Sequence, residues 1–288
     1  SRELAIQHPQ MVVSHLNSLG FHLNIEKSSL VPSQRATFLG IVLDSTTLKA
    51  RLSQERIDNF LTCARSLHPG NLVSYKTCMR LAGFMASSIH LIRLGRFYMR
   101  PFLRWMLALK VPSSHGHRQV LVTEACTRAL RPWLKAGVLT SGVSMGPVPF
   151  VRTITTDASM SGWGAILDGR TARGVWGCDL RSYHINFLEL MAVYLALQRF
   201  ERLVLGCHVR IRTDNTTTMC YINKQGGLRS PVLDDLARKL ALWCDSRLAS
   251  ISAVHVPGLQ NLGPDLLSRG RYCYGDWTLH PRLVSQIY

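Results

Sequence analysis

An aspartate stands inside a run that otherwise reads as strand, and no other feature constrains this chain as much. Thr153-Ile154-Thr155-Thr156-Asp157-Ala158 is rich in β-branched residues, and Gly162-Trp163-Gly164-Ala165-Ile166-Leu167 follows as a second short strand. Strand interiors disfavour aspartate, so a carboxylate held there needs a partner. Three more acids occur in helix-start settings: Glu189 in Asn186-Phe187-Leu188-Glu189-Leu190, Asp214 in Arg212-Thr213-Asp214-Asn215, and Asp265 in Gly263-Pro264-Asp265-Leu266-Leu267-Ser268-Arg269. Each of these three has an ordinary structural account. Asn186 to Glu189 matches a capping box, Asp214 can cap the helix after it, and Asp265 can sit in a first turn and favour the helix dipole. Asp157 has no such account. Four carboxylates brought together repel and raise one another's pKa unless cations neutralise them. Oxygen ligands without Cys or His select Mg²⁺ or Mn²⁺ over zinc. Two such ions held roughly 3.5–4 Å apart activate a water and stabilise the leaving oxygen in phosphodiester cleavage.

The pattern around the acids predicts an α/β domain. Strands at 151–158, 163–168 and 173–177 are joined by short turns. A helix over 186–203, a strand at 208–213, helices at 216–224 and 230–248, a strand at 250–256 and a helix at 261–268 follow. Three meandering strands followed by alternating strands and helices give a mixed five-stranded sheet with flanking helices, in which acids at strand ends can converge on one edge.

Charge supplies the second constraint. The 288 residues carry a formal +17, and it is unevenly placed: residues 1–150 hold 18 Lys and Arg against 6 acids, residues 151–288 hold 16 against 11. Between Asp58 and Glu124 there are nine basic residues and no acid. A one-signed stretch in a foldable sequence points to a polyanion, nucleic acid above all, with a merely solvated basic face as the alternative. No apolar run approaches the roughly 18 residues of a membrane span, and Ser1-Arg2-Glu3-Leu4 does not read as a signal peptide. The expectation is an intracellular protein, cytoplasmic or nuclear, with no membrane partner. The eight cysteines show no Cys-x-x-Cys pair, so reduced thiols are expected rather than a zinc site or a disulfide framework.

In the basic half, residues 4–19 have helical spacing and stop at Gly20. Residues 21–24 and 37–44 alternate as paired strands around a Pro32-Ser33 turn. Helices are expected from Ser53 to about Leu67, from Ser74 to about Ile89, from about Leu91, and over 118–136. On the third of these, Arg93, Arg96, Arg100 and Arg104 fall within a sector of roughly 80° if the helix survives Pro101. Such a row can follow a phosphate backbone, or it can simply cover a solvent face. Thr140 to Pro149 is linker in composition and marks the expected boundary between two domains.

Taken together, Thr156-Asp157-Ala158-Ser159, Leu188-Glu189-Leu190, Thr213-Asp214-Asn215, His255-Val256-Pro257-Gly258, Asn261 and Asp265-Leu266-Leu267-Ser268-Arg269 resemble the ribonuclease H domain of retroelement reverse transcriptases. Leu19 to Ser28 through Phe38-Leu39-Gly40 is similar to the end of a reverse transcriptase palm, and residues 52–110 to its helical thumb. Gly275-Asp276-Trp277-Thr278-Leu279-His280-Pro281 is similar to the segment that follows ribonuclease H in DIRS-type retrotransposons. The resemblance implies a palm remnant over 1–50, a helical thumb and connection over 51–140, a ribonuclease H domain over 150–270 and a tail over 271–288.

By this resemblance the chain is a two-metal endonuclease acting on the RNA strand of RNA·DNA hybrids, with duplex DNA or RNA as further partners. Asp157 would bridge two Mg²⁺ or Mn²⁺ ions, Asp265 would help hold the ion that activates water, and Glu189 with Asp214 would hold the ion at the leaving group. Asn215 joins the arginine row among the nucleic-acid contacts. Two departures stand out. Pro257 to Asp265 is too short for the histidine-bearing loop of the cellular and retroviral enzymes, and His255 falls in a strand. The family's polymerase aspartates would lie upstream of Ser1, while Asp234-Asp235 lies in a helical run, so no polymerase activity is expected of this chain. The competing reading is a retroelement-derived fragment that binds nucleic acid or a partner without cleaving.

Overall fold

The computed structural model describes residues 2–146 and 150–270. The chain opens with helix α1 (Arg2–Ser18). Strands β1 (Arg35–Phe38), β2 (Ile41–Asp44) and β3 (Lys49–Leu52) then form an antiparallel meander, closed at one edge by the much later β6 (Val143–Ser144). The expected pairing of 21–24 with 37–44 gives way to β1 on β2. Leu39 and Gly40 both adopt positive φ (50° and 74°), the conformation of the tight turn whose twist matches a hairpin. Closing that two-residue turn is entropically cheaper than closing a longer loop through Pro32.

Helices α2 (Gln54–Arg65) and α3 (Tyr75–Ser88) begin where serines can cap them. The Ser53 hydroxyl accepts from the Arg56 N–H and that of Ser74 from the Thr77 N–H. β4 (Leu72–Ser74) pairs with β5 (Gln119–Leu121). The single helix expected over 118–136 is therefore a strand and a short helix, α5 (Glu124–Leu130). Val120 and Val122 are β-branched and buried, and Pro132 has no N–H to extend the helix. Helix α4 (Gly95–Ala108) starts four residues later than expected, after Leu94 at φ 58°, and runs through Pro101. Phe60, Leu81, Met85, Phe102, Trp105, Leu130 and Trp133 form the core of this half.

The second half contains β7 (Val151–Ala158), β8 (Gly162–Leu167), β9 (Arg170–Val175), α6 (Ile185–Arg199), α7 (Glu201–Val204), β10 (His208–Thr213), α8 (Thr216–Asn223), α9 (Pro231–Arg247), β11 (Ser250–His255) and α10 (Leu262–Ser268). Its sheet has the order β11-β10-β7-β8-β9, with β7, β10 and β11 paired in parallel and β8 antiparallel to both of its neighbours, β7 and β9. This is the α/β class read from the sequence, a mixed five-stranded sheet with flanking helices. Alternate residues Ile154, Val209 and Ile211 pack on Leu188, Val193, Leu197 and Leu240. Helix α6 is buried on most of its circumference, as its nearly continuous apolar sequence requires.

No helix among the described residues is long and apolar enough to cross a membrane. Cys63, Cys78, Cys126, Cys178, Cys207, Cys220 and Cys244 are free thiols. Cys273 and the 275–281 segment lie outside the described residues.

Candidate active site

Parallel pairing brings the carboxyl ends of β7 and β10 to the same edge, the edge at which open α/β sheets present ligand sites. The register sets Arg212 opposite Thr155, so Asp214 and Asp157 each lie two residues further along. Glu189 reaches the same point from α6. One oxygen from each of Asp157, Glu189 and Asp214 lies within 4.8 Å of the other two. Asp157 is 5% exposed and Glu189 4%, while Asp214 is half-buried.

Asp265, the fourth expected acid, sits in the first turn of α10 beside this group rather than within it. Its Oδ1 accepts from Arg269 Nε at 2.7 Å, an i,i+4 ion pair, and its charge still raises the pKa of Asp157. The other local accounts resolve differently. The cap of α6 is the His184 ring, whose Nδ1 accepts from the Asn186 N–H, so Glu189 is free of a capping box. The cap of α8 is Asn215, whose Oδ1 accepts from the Thr218 N–H at 2.8 Å, so Asp214 is free of that role too. Asn215 also donates from Nδ2 to Asn186 Oδ1 at 2.9 Å, which ties the start of α8 to the start of α6.

Close packing of α10 on β8 completes the site. A Cβ on Gly164 would lie 2.5 Å from Leu267 Cβ and from the Pro264 carbonyl oxygen, so only glycine allows this approach. The approach delivers two buried polar groups to Asp157. Ser268 Oγ donates to Asp157 Oδ2 at 2.7 Å, and Asn261 Nδ2 donates to Asp157 Oδ1 at 3.1 Å and to the Thr156 carbonyl at 3.2 Å. Sequence reasoning did not give Ser268 and Asn261 this role. The available signal was two polar residues flanking the apolar face of a short helix, together with glycines at alternate positions in the facing strand.

Burial pushes the Asp157 carboxyl up to about 6, with the charges of Asp214 and Asp265 adding to the rise and the Ser268 hydrogen bond opposing it. Burial likewise pushes Glu189 up to about 9, with Asp157 and Asp214 adding to it and the Ala158 N–H opposing it. Glu189 Oε2 has no hydrogen-bond partner although it is buried. An orphaned buried oxygen in an all-carboxylate group fits a hard divalent cation, which would offset both the repulsion and the missing hydrogen bond.

The arginine row makes contacts within the chain while Arg93 stays exposed and Arg104 partly so. Arg93 pairs with the Asp245 carboxylate and donates to the Asp245 and Leu248 carbonyls at 2.8 Å. Arg100 donates to the Lys224 and Gln225 carbonyls, and Arg104 pairs with the fully buried Asp234. Arg96 is half-buried on the same helix. Three of the four members of the expected row thus have partners within the chain. Their sector faces α8 and α9, because buried carboxylates and helix-end carbonyls there demand donors.

A family model described as the RNase H-like domain found in reverse transcriptase matches residues 151–246. The enzymatic polyprotein of cauliflower mosaic virus (strain CM-1841) is 25% identical over 278 residues, covering 91% of this chain and 38% of the polyprotein. The chain thus spans under two fifths of the length of that curated relative. Among solved structures, a foamy viral protease-reverse transcriptase in complex with RNA/DNA hybrid aligns over 97% of this chain and 36% of its own, at 13% identity and a TM-score of 0.44. LC11-RNase H1 in complex with RNA/DNA hybrid aligns over 42% of this chain and 94% of its own, at 16% identity and a TM-score of 0.36. Residues 151–246, which carry Asp157, Glu189 and Asp214, therefore match an RNase H-like domain of the kind found in reverse transcriptase.

Proposed function

We propose that this chain is the ribonuclease H part of a retroelement reverse transcriptase and cleaves the RNA strand of RNA·DNA hybrids. The observation that carries the reading is the group Asp157, Glu189 and Asp214, the first two buried, with oxygens within 4.8 Å of one another and Glu189 Oε2 unpartnered. Asp157, Glu189 and Asp214, with Asp265 beside them, would hold two Mg²⁺ or Mn²⁺ ions. When bound, such ions supply an activated water and stabilise the leaving oxygen. The chain's own residues do the rest. Ser268 and Asn261 fix both oxygens of Asp157, and the Asn215–Asn186 amide pair fixes the spacing between the strand that carries Asp214 and the helix that carries Glu189. The formal charge of +17 suits a polyanionic substrate, and hybrid would be told from DNA duplex by its shape and 2′-hydroxyls rather than by sequence. The division into 1–50, 51–140, 150–270 and 271–288, and the DIRS-type affiliation, belong to the same proposal.

The test is incubation with a hybrid labelled on the RNA strand, with and without Mg²⁺ or Mn²⁺. Divalent-dependent cleavage leaving 3′-hydroxyl and 5′-phosphate ends is expected, and Asp157→Asn or Asp214→Asn abolishes it. Undiminished cleavage by folded Asp157→Asn sinks the assignment.

A further inference from the structure

Eight residues of α8 separate Asp214 from a cluster of contacts made by α4, a helix more than a hundred residues earlier in the chain. At the carboxyl end of α8, Arg100 donates from Nε to the Gln225 carbonyl at 3.1 Å and from Nη2 to the Lys224 carbonyl. The Phe97 N–H at the start of α4 donates to Gln225 Oε1 at 3.2 Å. Arg100 thus supplies donors to the carbonyls of the cap residue and the one after it, and its cation complements the helix dipole there. Gln225 itself sits at φ 53°, a conformation a glutamine adopts only when its surroundings hold it.

The turn that follows is clamped as well. Asp234, fully buried at the start of α9, accepts from the Gly227 N–H at 3.0 Å and pairs with Arg104, with Arg100 at 4.0 Å. Gly226, at φ 107°, leaves no room for a Cβ between Asp234 and Arg100. At the last residue of α8, Asn223 accepts from the Ala253 N–H at 2.8 Å and donates to its carbonyl at 2.7 Å, fastening the same end of α8 to β11. At the amino end, Asn215 holds Asn186 on α6, three residues before Glu189. Helix α8 is thus fixed at its carboxyl end by α4 and β11 together and at its amino end by α6, immediately beside Asp214.

We infer that Arg100 and Gln225 are positioning residues for the carboxylate site: α4, with β11, sets the axial placement of α8, and α8 sets the spacing of Asp214 from Glu189. This rests on the reading of those carboxylates as a divalent-ion site. Nothing in the contact requires the arginine to meet substrate. Its effect therefore appears in divalent-ion affinity and in turnover, not in hybrid binding.

The experiment uses the full chain carrying Arg100→Ala or, separately, Gln225→Asn. Asparagine tolerates the left-handed conformation but is too short to keep the Phe97 N–H bond. Two quantities are read for each: the Mn²⁺ concentration at half-maximal thermal stabilisation, and kcat against KM on labelled hybrid. Supporting groups around metal ligands typically change metal affinity or activity by about 10–100-fold, so a rise of about tenfold in the Mn²⁺ midpoint is expected for Arg100→Ala and a smaller rise for Gln225→Asn. A fall in kcat with unchanged KM is expected for both, with partial recovery in Arg100→Lys. If Arg100→Ala does not fold, Gln225→Asn alone decides. A folded variant with the parent's midpoint and kcat overturns the inference. If the unaltered chain binds Mn²⁺ but cleaves no hybrid, the proposed function falls and the midpoints still decide whether α4 positions the site. If it shows no Mn²⁺ stabilisation at all, both fall.

Discussion

Replacing Asp157 with asparagine should make the metal-free protein more stable while removing its activity. The native carboxyl is held up to about 6 against an ordinary 3.8, so between those values the folded chain binds more protons than the unfolded one. The sign follows directly: an acid whose folded pKa is raised loses stability as pH climbs through that window, and the loss is complete above about pH 6. At about 1.36 kcal/mol per pKa unit, ionised Asp157 destabilises the metal-free fold by up to about 3 kcal/mol at pH 8. Asparagine keeps the shape. Its Oδ1 can still accept from Asn261 Nδ2, and Ser268 can direct its hydrogen to the Asp265 carbonyl, 2.9 Å away, while accepting from the new amide. Thermal unfolding in EDTA should show Asp157→Asn melting above the parent by about 5–10 °C at pH 8. The gap should close toward pH 4, where the parent's carboxyl is neutral. Saturating Mn²⁺ should stabilise the parent and leave the variant nearly unmoved. If the variant melts lower than the parent at pH 8 in EDTA, or if the difference ignores pH, the burial and repulsion argued for this site are refuted.

Two further expectations concern packing. Arg104→Ala strips the buried Asp234 of the nearer of its two arginines, leaving Arg100 at 4.0 Å, and should destabilise by less than the roughly 3–5 kcal/mol typical of a buried pair broken from one side; Asp234→Asn in the same background should recover part of that in urea unfolding. Gly164→Ala forces α10 off β8 and should cost about 1–3 kcal/mol, with a loss of cleavage larger than the loss of folded protein, because Ser268 and Asn261 retreat from Asp157. Equal losses would mean that α10 is only a cover for the sheet.

The second half of the chain was legible because its signals were local and strong. Alternation gave β7 and β10, and the apolar run 187–197 gave a helix buried on most sides. Asp157 stood out because no cap or turn explained it. What was not legible has a common cause. A periodicity identifies a face without saying what meets it: Arg93, Arg100 and Arg104 find their partners, Asp245, Lys224, Gln225 and Asp234, more than a hundred residues away. Residues 118–136 were misread for a related reason. The partner strand β4 lies near residue 73, and pairing across that distance overrode a helical pattern.

The register of β7 on β10 carries a consequence for how activity should fail. Asp157 and Asp214 are spaced by a ladder of backbone hydrogen bonds rather than by side-chain fit, and a slip of one residue would shift one carboxylate by about 3.3 Å and turn it to the other face. The ladder is either in register or it is not. Mutations in the distant core of β7 and β10 should therefore reduce the fraction of molecules that are competent without grading the rate of each, and active-site titration should then fall in step with total activity.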